Sequence, residues 1–157
     1  MLRATSLVRA SRWQATDAVA CVTLPFNERH RRRILMSDDQ GRAFLLDLAE
    51  TARLEDGDGL VLETGGVVLV RAAQEDVLDI VCRGADGAAR IAWHLGNRHT
   101  PVQVLANGAL RIAYDHVLRH MAESLGALTE RRQAPFAPEG GAYADGSNHG
   151  HGHGHHH

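Results

Sequence analysis

Short apolar runs separated by turn residues dominate the first half of the chain. The runs at residues 33–36, 43–48, 60–64 and 67–71 are bounded by segments rich in aspartate and glycine. Gly65-Gly66, between the last two runs, is typical of a two-residue β-hairpin loop. This pattern predicts short strands joined by tight turns. We therefore expect a small β-rich protein-interaction domain over residues 1–74.

The periodicity changes after residue 74. A strand is predicted at residues 77–82, and a helix follows that Asp86 is expected to cap and Gly96 to end. The apolar positions of this helix recur at the i, i+3, i+4, i+7 spacing of a buried helical face, namely Ala88, Ile91, Ala92 and Leu95.

A second hairpin and a second helix complete this half. Asn107-Gly108 lies between the apolar runs 102–105 and 109–113 and predicts a hairpin turn. Asp115 is expected to cap a helix that ends at Gly126, and residues 127–129 open a last strand. The predicted apolar face of the helix comprises Val117, Leu118, Met121 and Leu125. The order β-α-β-β-α-β predicts a ferredoxin-like domain over residues 75–134, so that the fold class is α+β.

The end of the chain has a different composition. Residues 135–157 contain two prolines, six glycines and Ser147, a composition that predicts a disordered tail without a packed core. Six of the last nine residues are histidine: His149, His151, His153, His155, His156 and His157. Imidazole suits nickel, copper and zinc, and the glycine spacers let several rings turn toward one ion. The tail is thus predicted to bind metal; the alternative is a purification tag, although tags are usually uninterrupted histidine runs.

Composition excludes several classes of protein. The net charge of −2 provides no basic field for nucleic acid, and 4% aromatic residues argue against base stacking. No apolar stretch approaches the roughly 18 residues of a membrane helix. The two cysteines, Cys21 and Cys82, lie far apart in apolar runs and are interpreted as buried thiols. We therefore expect a cytoplasmic protein without nucleic-acid or membrane partners.

His99 is the central candidate for metal binding. It follows the predicted helix end and precedes Pro101, so its side chain should project from a connector. A single exposed histidine is more often an ordinary surface residue than a metal ligand, so a second ligand is needed for a site. A two-fold homodimer would supply one, because an isologous contact can bring His99 of both protomers together.

Asp115 and His116 form a second candidate site at the start of the second helix. His116 and His120 are four residues apart, which puts both rings on one helix face and allows metal chelation. The alternative assigns Asp115 to N-capping and leaves His116 and His120 solvated. His94 is interpreted as a surface residue near His99.

The remaining charged motifs give no catalytic apparatus. The basic cluster at residues 29–33 is interpreted as a solvated strand edge or a partner-docking patch. Residues 56–59, with the sequence DGDG, lack the later acidic ligands of a calcium loop and predict a turn. There is no P-loop, complete dinucleotide fingerprint, His-Glu-x-x-His motif or nucleophile elbow. We therefore expect no enzyme.

These residues together carry a family resemblance. GNRHTPVQ at residues 96–103 and YDHVL at residues 114–118 resemble the metal-associated motifs of the UreE urease accessory proteins, a family of nickel metallochaperones. The basic cluster, DQG at residues 39–41 and FLLDL at residues 44–48 are similar to the family's N-terminal domain. The resemblance covers nearly the whole chain.

The resemblance implies a fold and a function. It implies an N-terminal β-domain for protein contacts, a ferredoxin-like metal-binding domain, and a homodimer whose two His99 side chains share one metal ion. Ni(II) would be the cargo, passed to the urease-activating GTPase and then to apo-urease. Tyr114 stands where some members carry histidine, which weakens the expected auxiliary site at Asp115 and His116.

The resulting hypothesis is that the tail captures Ni(II) and presents it to the His99 pair. Zn(II) and Cu(II) are expected to compete for the same imidazoles in vitro. The main alternative is passive nickel or zinc storage by the tail alone. A metallohydrolase built on Asp115, His116 and His99 would lack an acidic general base, and an RNA-binding module would lack exposed sheet aromatics.

Overall fold

The computed structural model describes residues 1–140 of the protein. The ten strands described there are β1 Leu2–Val8, β2 Ala18–Leu24, β3 His30–Ser37, β4 Ala43–Arg53, β5 Gly59–Leu62, β6 Val67–Ala72, β7 Gln74–Val81, β8 Gln103–Val104, β9 Leu110–Ala113 and β10 Leu128–Pro135. The two α-helices are α1 Gly84–Asn97 and α2 His116–Ser124, and three short 3-10 helices are Ala10–Arg12, Ala15–Asp17 and Phe26–Glu28. The prediction of a mixed α+β fold with a β-rich N-terminal part is confirmed.

The N-terminal strands form one six-stranded sheet with the order β2-β6-β5-β1-β4-β3. Alternating residues of these strands turn inward, as Phe44, Leu46 and Leu48 do in β4, because successive side chains of a strand point to opposite faces. Most strand neighbours are antiparallel, but β1 with β4 and β2 with β6 are parallel pairs. The inward side chains make one apolar core.

The second sheet has four strands in the order β10-β7-β9-β8. All its neighbouring strands are antiparallel, and α1 and α2 follow β7 and β9 along the chain. Leu78, Ile80 and Ile112 point to the same face of the sheet and pack against Ile91 and Leu95 of α1. This is the β-α-β-β-α-β element order expected from the sequence.

The helix boundaries and faces differ in detail from the predictions. Helix α1 begins at Gly84, so Asp86 lies within its first turn and does not cap it. Ala92 is exposed and Ala88 only partly buried, since the sheet reaches only the stripe around Ile91 and Leu95. In α2 the buried residues are Leu118 and Ala122, whereas Val117 is 60% exposed.

The hairpin at Asn107-Gly108 forms with a longer loop than predicted. Ala109 donates its backbone N–H to the carbonyl oxygen of Asn107's side chain, and Gly108 has a φ of +84°. Asn107 does not have a positive φ, whereas a two-residue type I′ turn requires one at both positions. The 105–109 backbone therefore closes through a single left-handed glycine.

The junction between the two sheets corrects the predicted start of the tail. Phe136 is 3% exposed and packs edge-on against Phe26, with 5.6 Å between the ring centroids. Val77 and Ala134 complete this small cluster. The prediction of a disordered tail from residue 135 onward is therefore wrong for residues 135–140, because Phe136 packs into an apolar cluster. Residues 141–157, including the predicted histidine tail, lie outside the described residues.

The basic cluster is also more structured than predicted. Arg29 is 3% exposed, donates a 3.2 Å hydrogen bond to the carbonyl oxygen of Leu24, and also donates to that of Phe136. Burial lowers the pKa of Arg29 below its ordinary value, although nearby Glu75 opposes this. Arg32 and Arg33 are exposed, as expected for a solvated strand edge.

The DGDG segment is a turn, as predicted, with a structural use for its carboxylates. Asp58 is 1% exposed and accepts hydrogen bonds from the backbone N–H groups of Ala10 and Glu55 and from the Arg9 guanidinium. Asp56 accepts from the N–H of Ala72. These contacts account for the acidic residues without a metal ion.

Two further expectations concern membrane-spanning helices and the burial of the cysteines. No helix within residues 1–140 has the length and apolar character needed to cross a membrane. Cys21 and Cys82 are free thiols, and both are only partly buried, less than the sequence predicted. Burial raises the pKa of Cys82.

Candidate metal site

His99 lies just beyond the C-terminus of α1, in a backbone turn that reverses the chain. The N–H of His99 donates to the carbonyl oxygen of Gly96 at 3.0 Å, and the N–H of Thr100 donates to that of Leu95 at 3.0 Å. These two bonds define a Schellman motif, in which the residue at the C′ position adopts a left-handed conformation. His99 occupies that position with a φ of +55°.

The end of α2 provides an internal comparison. There the N–H of Gly126 donates to the carbonyl oxygen of Glu123 and the N–H of Ala127 to that of Ala122, which is the same motif. The C′ residue is Gly126, with a φ of +91°. Glycine is the usual residue at C′ because it has no Cβ to clash in the left-handed region. His99 is the one non-glycine residue with a positive φ among residues 1–140, so its backbone carries strain that glycine would avoid.

The strained turn holds the imidazole at the surface. His99 is exposed, and no side-chain hydrogen bond or ion pair of His99 occurs within the described part of the chain. It lines an open groove of about 500 Å³ together with Pro101, Val102, Val104 and Glu139. His94 lies within α1 and is partly buried. Its ring is edge-on to the Trp93 ring, with 5.0 Å between the ring centroids.

Asp115 acts as a helix cap in the structure. One of its carboxylate oxygens, Oδ1, accepts from the N–H of Val117 at 2.8 Å and from that of Leu118 at 3.0 Å. His116 begins α2 and His120 lies one turn later, and both are exposed. The predicted N-cap is thus confirmed, while a metal-binding role for Asp115 and His116 stays a prediction.

Tyr114, the residue before Asp115, packs against Arg131 of β10. The guanidinium of Arg131 lies 3.7 Å from the centroid of the Tyr114 ring, and the same arginine forms a 2.8 Å ion pair with Asp76. The hydrogen bond from Arg131 lowers the pKa of Asp76. Tyr114 therefore has a cation–π role next to Asp115.

The described residues do not bring the predicted ligands together. Within residues 1–140, no three histidine, cysteine, aspartate or glutamate side chains are close enough to hold one metal ion. The six predicted tail ligands, His149, His151, His153, His155, His156 and His157, lie outside the described residues. A metal ion at His99 therefore requires ligands from the tail, from solvent or from a second copy of the chain.

Comparison with known proteins identifies the family. The family model described as "UreE urease accessory protein, N-terminal domain" matches residues 4–73, and "UreE urease accessory protein, C-terminal domain" matches residues 75–157. The chain belongs to the UreE family. The family resemblance drawn from residues 96–103 and 114–118 is confirmed.

Individual UreE relatives are similar along most of the chain. Proteins named "Urease accessory protein UreE" from Bradyrhizobium sp. and Rhodopseudomonas palustris are 49% and 51% identical. These matches cover 94% and 92% of this chain and 71% and 67% of the two relatives. A relative of the same name from Chelativorans sp. is 45% identical, over 96% of this chain and 92% of its own length. The similarity thus includes both sheets and the turn at His99.

Sequence reasoning missed two further residues that line the His99 groove. Pro138 and Glu139 were assigned to the tail, but both line the groove beside His99. The signal that could have revealed them is Phe136, the one large apolar residue among residues 129–142.

Proposed function

We propose that the protein is a nickel metallochaperone that captures Ni(II) and delivers it for assembly of the urease metallocentre. The observation that carries this proposal is His99: an exposed imidazole without a hydrogen-bonding partner in the described residues, on a strained C′ residue within the family's motif. Backbone strain of this kind persists where a side chain has a use that outweighs the conformational cost. The UreE relatives are named urease accessory proteins, which supports urease as the destination.

In this proposal the parts of the chain divide the work. Residues 1–74 contact protein partners, residues 75–134 form a ferredoxin-like metal-binding domain, and residues 141–157 contain the tail histidines. The strand order β10-β7-β9-β8 supports the ferredoxin-like assignment. Two chains form a homodimer in the cytoplasm, and their two His99 side chains share one ion.

The chemistry of such a site suits delivery. Imidazole and water bind Ni(II) without the strong retention that thiolates give to zinc or copper(I). The ion is cargo, taken from the tail and released to the urease accessory GTPase and apo-urease. Zn(II) and Cu(II) compete for the same imidazoles in vitro, and Asp115 with His116 form a weaker auxiliary site. The protein itself catalyses no reaction.

The experiment compares nickel delivery by four forms of the protein. They are the full chain, a chain truncated after Asn148, His99→Ala, and the control His30→Ala, which removes an exposed histidine of β3. Each is loaded with Ni(II) and mixed with apo-urease and the accessory GTPase, and urease activity is measured. We expect His99→Ala to retain most of its nickel but to activate urease severalfold more slowly, with His30→Ala unchanged.

The second candidate function, passive nickel or zinc storage by the tail, predicts another pattern. The histidine composition of residues 149–157 favours it as the alternative. In that case truncation after Asn148 removes the nickel, and His99→Ala leaves urease activation untouched. That result would replace delivery by storage.

A further inference from the structure

Strand β3 lies at one end of the N-terminal sheet, so only one of its two sides is paired. The N–H of Asp38 donates to the carbonyl oxygen of Arg42 at 2.9 Å, which makes this a hydrogen-bonded pair at the end of the β3–β4 ladder. In an antiparallel ladder such pairs alternate with pairs whose N–H and C=O groups point away from the partner strand. The register places three residues of β3 in the second group, and we name them the β3 edge: Arg33, Leu35 and Ser37.

The backbone groups of the β3 edge are open to a partner. All three residues are exposed. Edge strand β2, at the other end of the same sheet, is covered instead, because Asp39 donates its N–H to the carbonyl oxygen of Cys21 at 2.8 Å and accepts from the N–H of Thr23 at 2.9 Å. Proteins cover sheet edges in this way because a free edge pairs with other chains. Within residues 1–140, no such contact covers the β3 edge.

The side chains around the β3 edge are positively charged. The Arg33 side chain is 67% exposed, and its one ion pair within the described residues is to Asp47 at 3.8 Å. Asp47 also accepts a hydrogen bond from Arg3, so one carboxylate faces two guanidinium groups. Arg31 and Arg32 precede Arg33 and add to the positive charge. The guanidinium of Arg33 therefore keeps donors free for a second carboxylate, which it can bind through two parallel hydrogen bonds.

An apolar position lies next to this charge. Leu35 is two residues after Arg33, so both side chains point to the same face of the strand, and Leu35 is 57% exposed. Its neighbour across the ladder, Leu45, is half-buried on that face. A strand added at the β3 edge would place its side chains about 5 Å from those directly opposite. The matching segment has a carboxylate opposite Arg33 and an apolar side chain opposite Leu35.

The arginines also decide between possible occupants. Pairing of β3 with β3 of a second copy would bring two clusters at residues 31–33 into one ladder, and like charges on neighbouring strands repel. A nucleic acid would offer phosphates to Arg33 but no amide groups to the backbone of the β3 edge. An acidic polypeptide satisfies both the side chains and the backbone.

We propose that the β3 edge binds an extended acidic segment of a partner protein by β-strand addition. Backbone hydrogen bonds at residues 33, 35 and 37 supply the affinity, and Arg33 with Leu35 selects the sequence. The inference deepens the proposed function and rests on it for the partner being a protein, because it assigns the partner contact of residues 1–74 to one strand edge. His30 is three residues before Arg33, points to the opposite face of β3 and lies outside this surface.

The test uses the full chain without metal and three synthetic peptides that carry a fluorescent label. The acidic peptide contains the core Glu-Thr-Val-Thr-Glu, which puts its carboxylates and its apolar side chain on one face of a strand. The second peptide has lysine in place of glutamate. The third keeps the acidic sequence but carries N-methyl groups on the glutamate and valine amides, the groups that would face β3. Binding is measured by fluorescence anisotropy.

We expect the acidic peptide to bind at least tenfold more tightly than either of the other two. Arg33→Glu should weaken this binding at least tenfold, whereas the matched control Arg12→Glu, at an exposed arginine outside β3, should change it less than twofold. Leu35→Pro removes an N–H that points away from β4, so it should weaken binding at least tenfold with an unchanged melting temperature. Leu35→Ala keeps the N–H and should lose less.

The outcomes that contradict the proposal are equally definite. Equal binding of the acidic and N-methylated peptides would exclude strand addition, and this comparison holds even if Leu35→Pro does not fold. Equal effects of Arg33→Glu and Arg12→Glu would exclude the β3 edge as the site, as would no binding of the acidic peptide. An oligouridylate that binds as tightly as the acidic peptide would show a general anion surface instead.

Failure of the proposed function would be seen separately, because these measurements contain no nickel and no urease. If the acidic peptide binds as expected and His99→Ala delivers nickel as well as the parent chain, the β3 edge stands as a docking site and the delivery role is wrong. If delivery behaves as expected and the peptide does not bind, the partner contact lies elsewhere.

Discussion

At the scale of single residues, His99 and Gly126 occupy equivalent positions at the ends of α1 and α2, but only His99 is conformationally strained there. Both are C′ residues of Schellman motifs with positive φ, but only Gly126 lacks a Cβ. A non-glycine residue in the left-handed region costs about 1–2 kcal/mol. That His99 follows the end of a helix could be predicted from Gly96-Asn97 and Pro101. Its positive φ could not be predicted, because Gly96 suggested that the glycine itself would adopt the left-handed conformation.

The first prediction is that His99→Gly stabilises the protein. Glycine relieves the strain at φ +55°, so we expect the free energy of unfolding to rise by about 1 kcal/mol, measured by urea denaturation. The reverse change at the matched position, Gly126→His, should lower it by a similar amount. A loss of stability in His99→Gly would mean that the imidazole itself stabilises the apoprotein.

The second prediction separates capping from metal binding at Asp115. Asp115→Ala should lower the free energy of unfolding by about 1 kcal/mol, because two N–H donors at the start of α2 lose their acceptor. Asp115→Ser retains a capping oxygen and should recover most of this stability. Serine supplies no carboxylate, so a weak nickel site that uses Asp115 is lost in both variants, which calorimetric titration checks.

At the scale of elements, hydrophobic periodicity predicts the strands and helices well, and tertiary contacts decide the rest. The apolar runs at 43–48 and 67–71 became β4 and β6, and the i, i+4 pair Ile91 and Leu95 became the buried stripe of α1. Val117 has the same local pattern but stays exposed, since burial depends on which side the sheet lies. Sequence spacing does not contain that information.

The third prediction concerns the turn between β3 and β4. Asp38 accepts hydrogen bonds from the Arg42 N–H at 2.9 Å, from the Arg42 side chain at 2.8 Å and from the Gln40 N–H. The backbone bond from Arg42 is the main cause that lowers the pKa of Asp38. A lowered folded-state pKa stabilises the fold above the ordinary value near 3.8, and this contribution disappears as the pH falls below it.

We therefore expect the urea midpoint to fall between pH 5 and pH 3, and to fall less in Asp38→Asn, which has no carboxyl group to protonate. The pH dependence in both proteins is read from the same denaturation curves. If Asp38→Asn showed the full dependence, the stabilisation would arise at other carboxylates, such as Asp76.

At the scale of the whole molecule, long-range contacts join the two sheets and carry the chain end to His99. Arg29 and Phe136 are 107 positions apart in sequence, yet the guanidinium donates to the carbonyl oxygen of Phe136. No local pattern could predict that Arg29 leaves the basic cluster for the interior. The packing of residues 136–140 was missed for a related reason, since proline and glycine at positions 135–140 indicate irregular backbone both in a packed connector and in an unpacked tail.

The fourth prediction is that nickel loading depends on pH. Imidazole must be neutral to bind metal, and histidine ordinarily has a pKa near 6.5, so protons compete with Ni(II) below that pH. Equilibrium dialysis of the full chain should give several ions at about pH 7.5 and few at about pH 5. Equal loading at both values would exclude sites made of imidazole and water.

Native mass spectrometry of the chain truncated after Asn148 tests whether one Ni(II) is shared by His99 of two chains. Without the histidines of residues 149–157, we expect a dimer that carries one nickel ion. His99→Gly should lose that ion while remaining folded, and His30→Ala should keep it. A nickel-loaded monomer, or a dimer whose nickel is retained in His99→Gly, would show that the two His99 side chains do not share the ion.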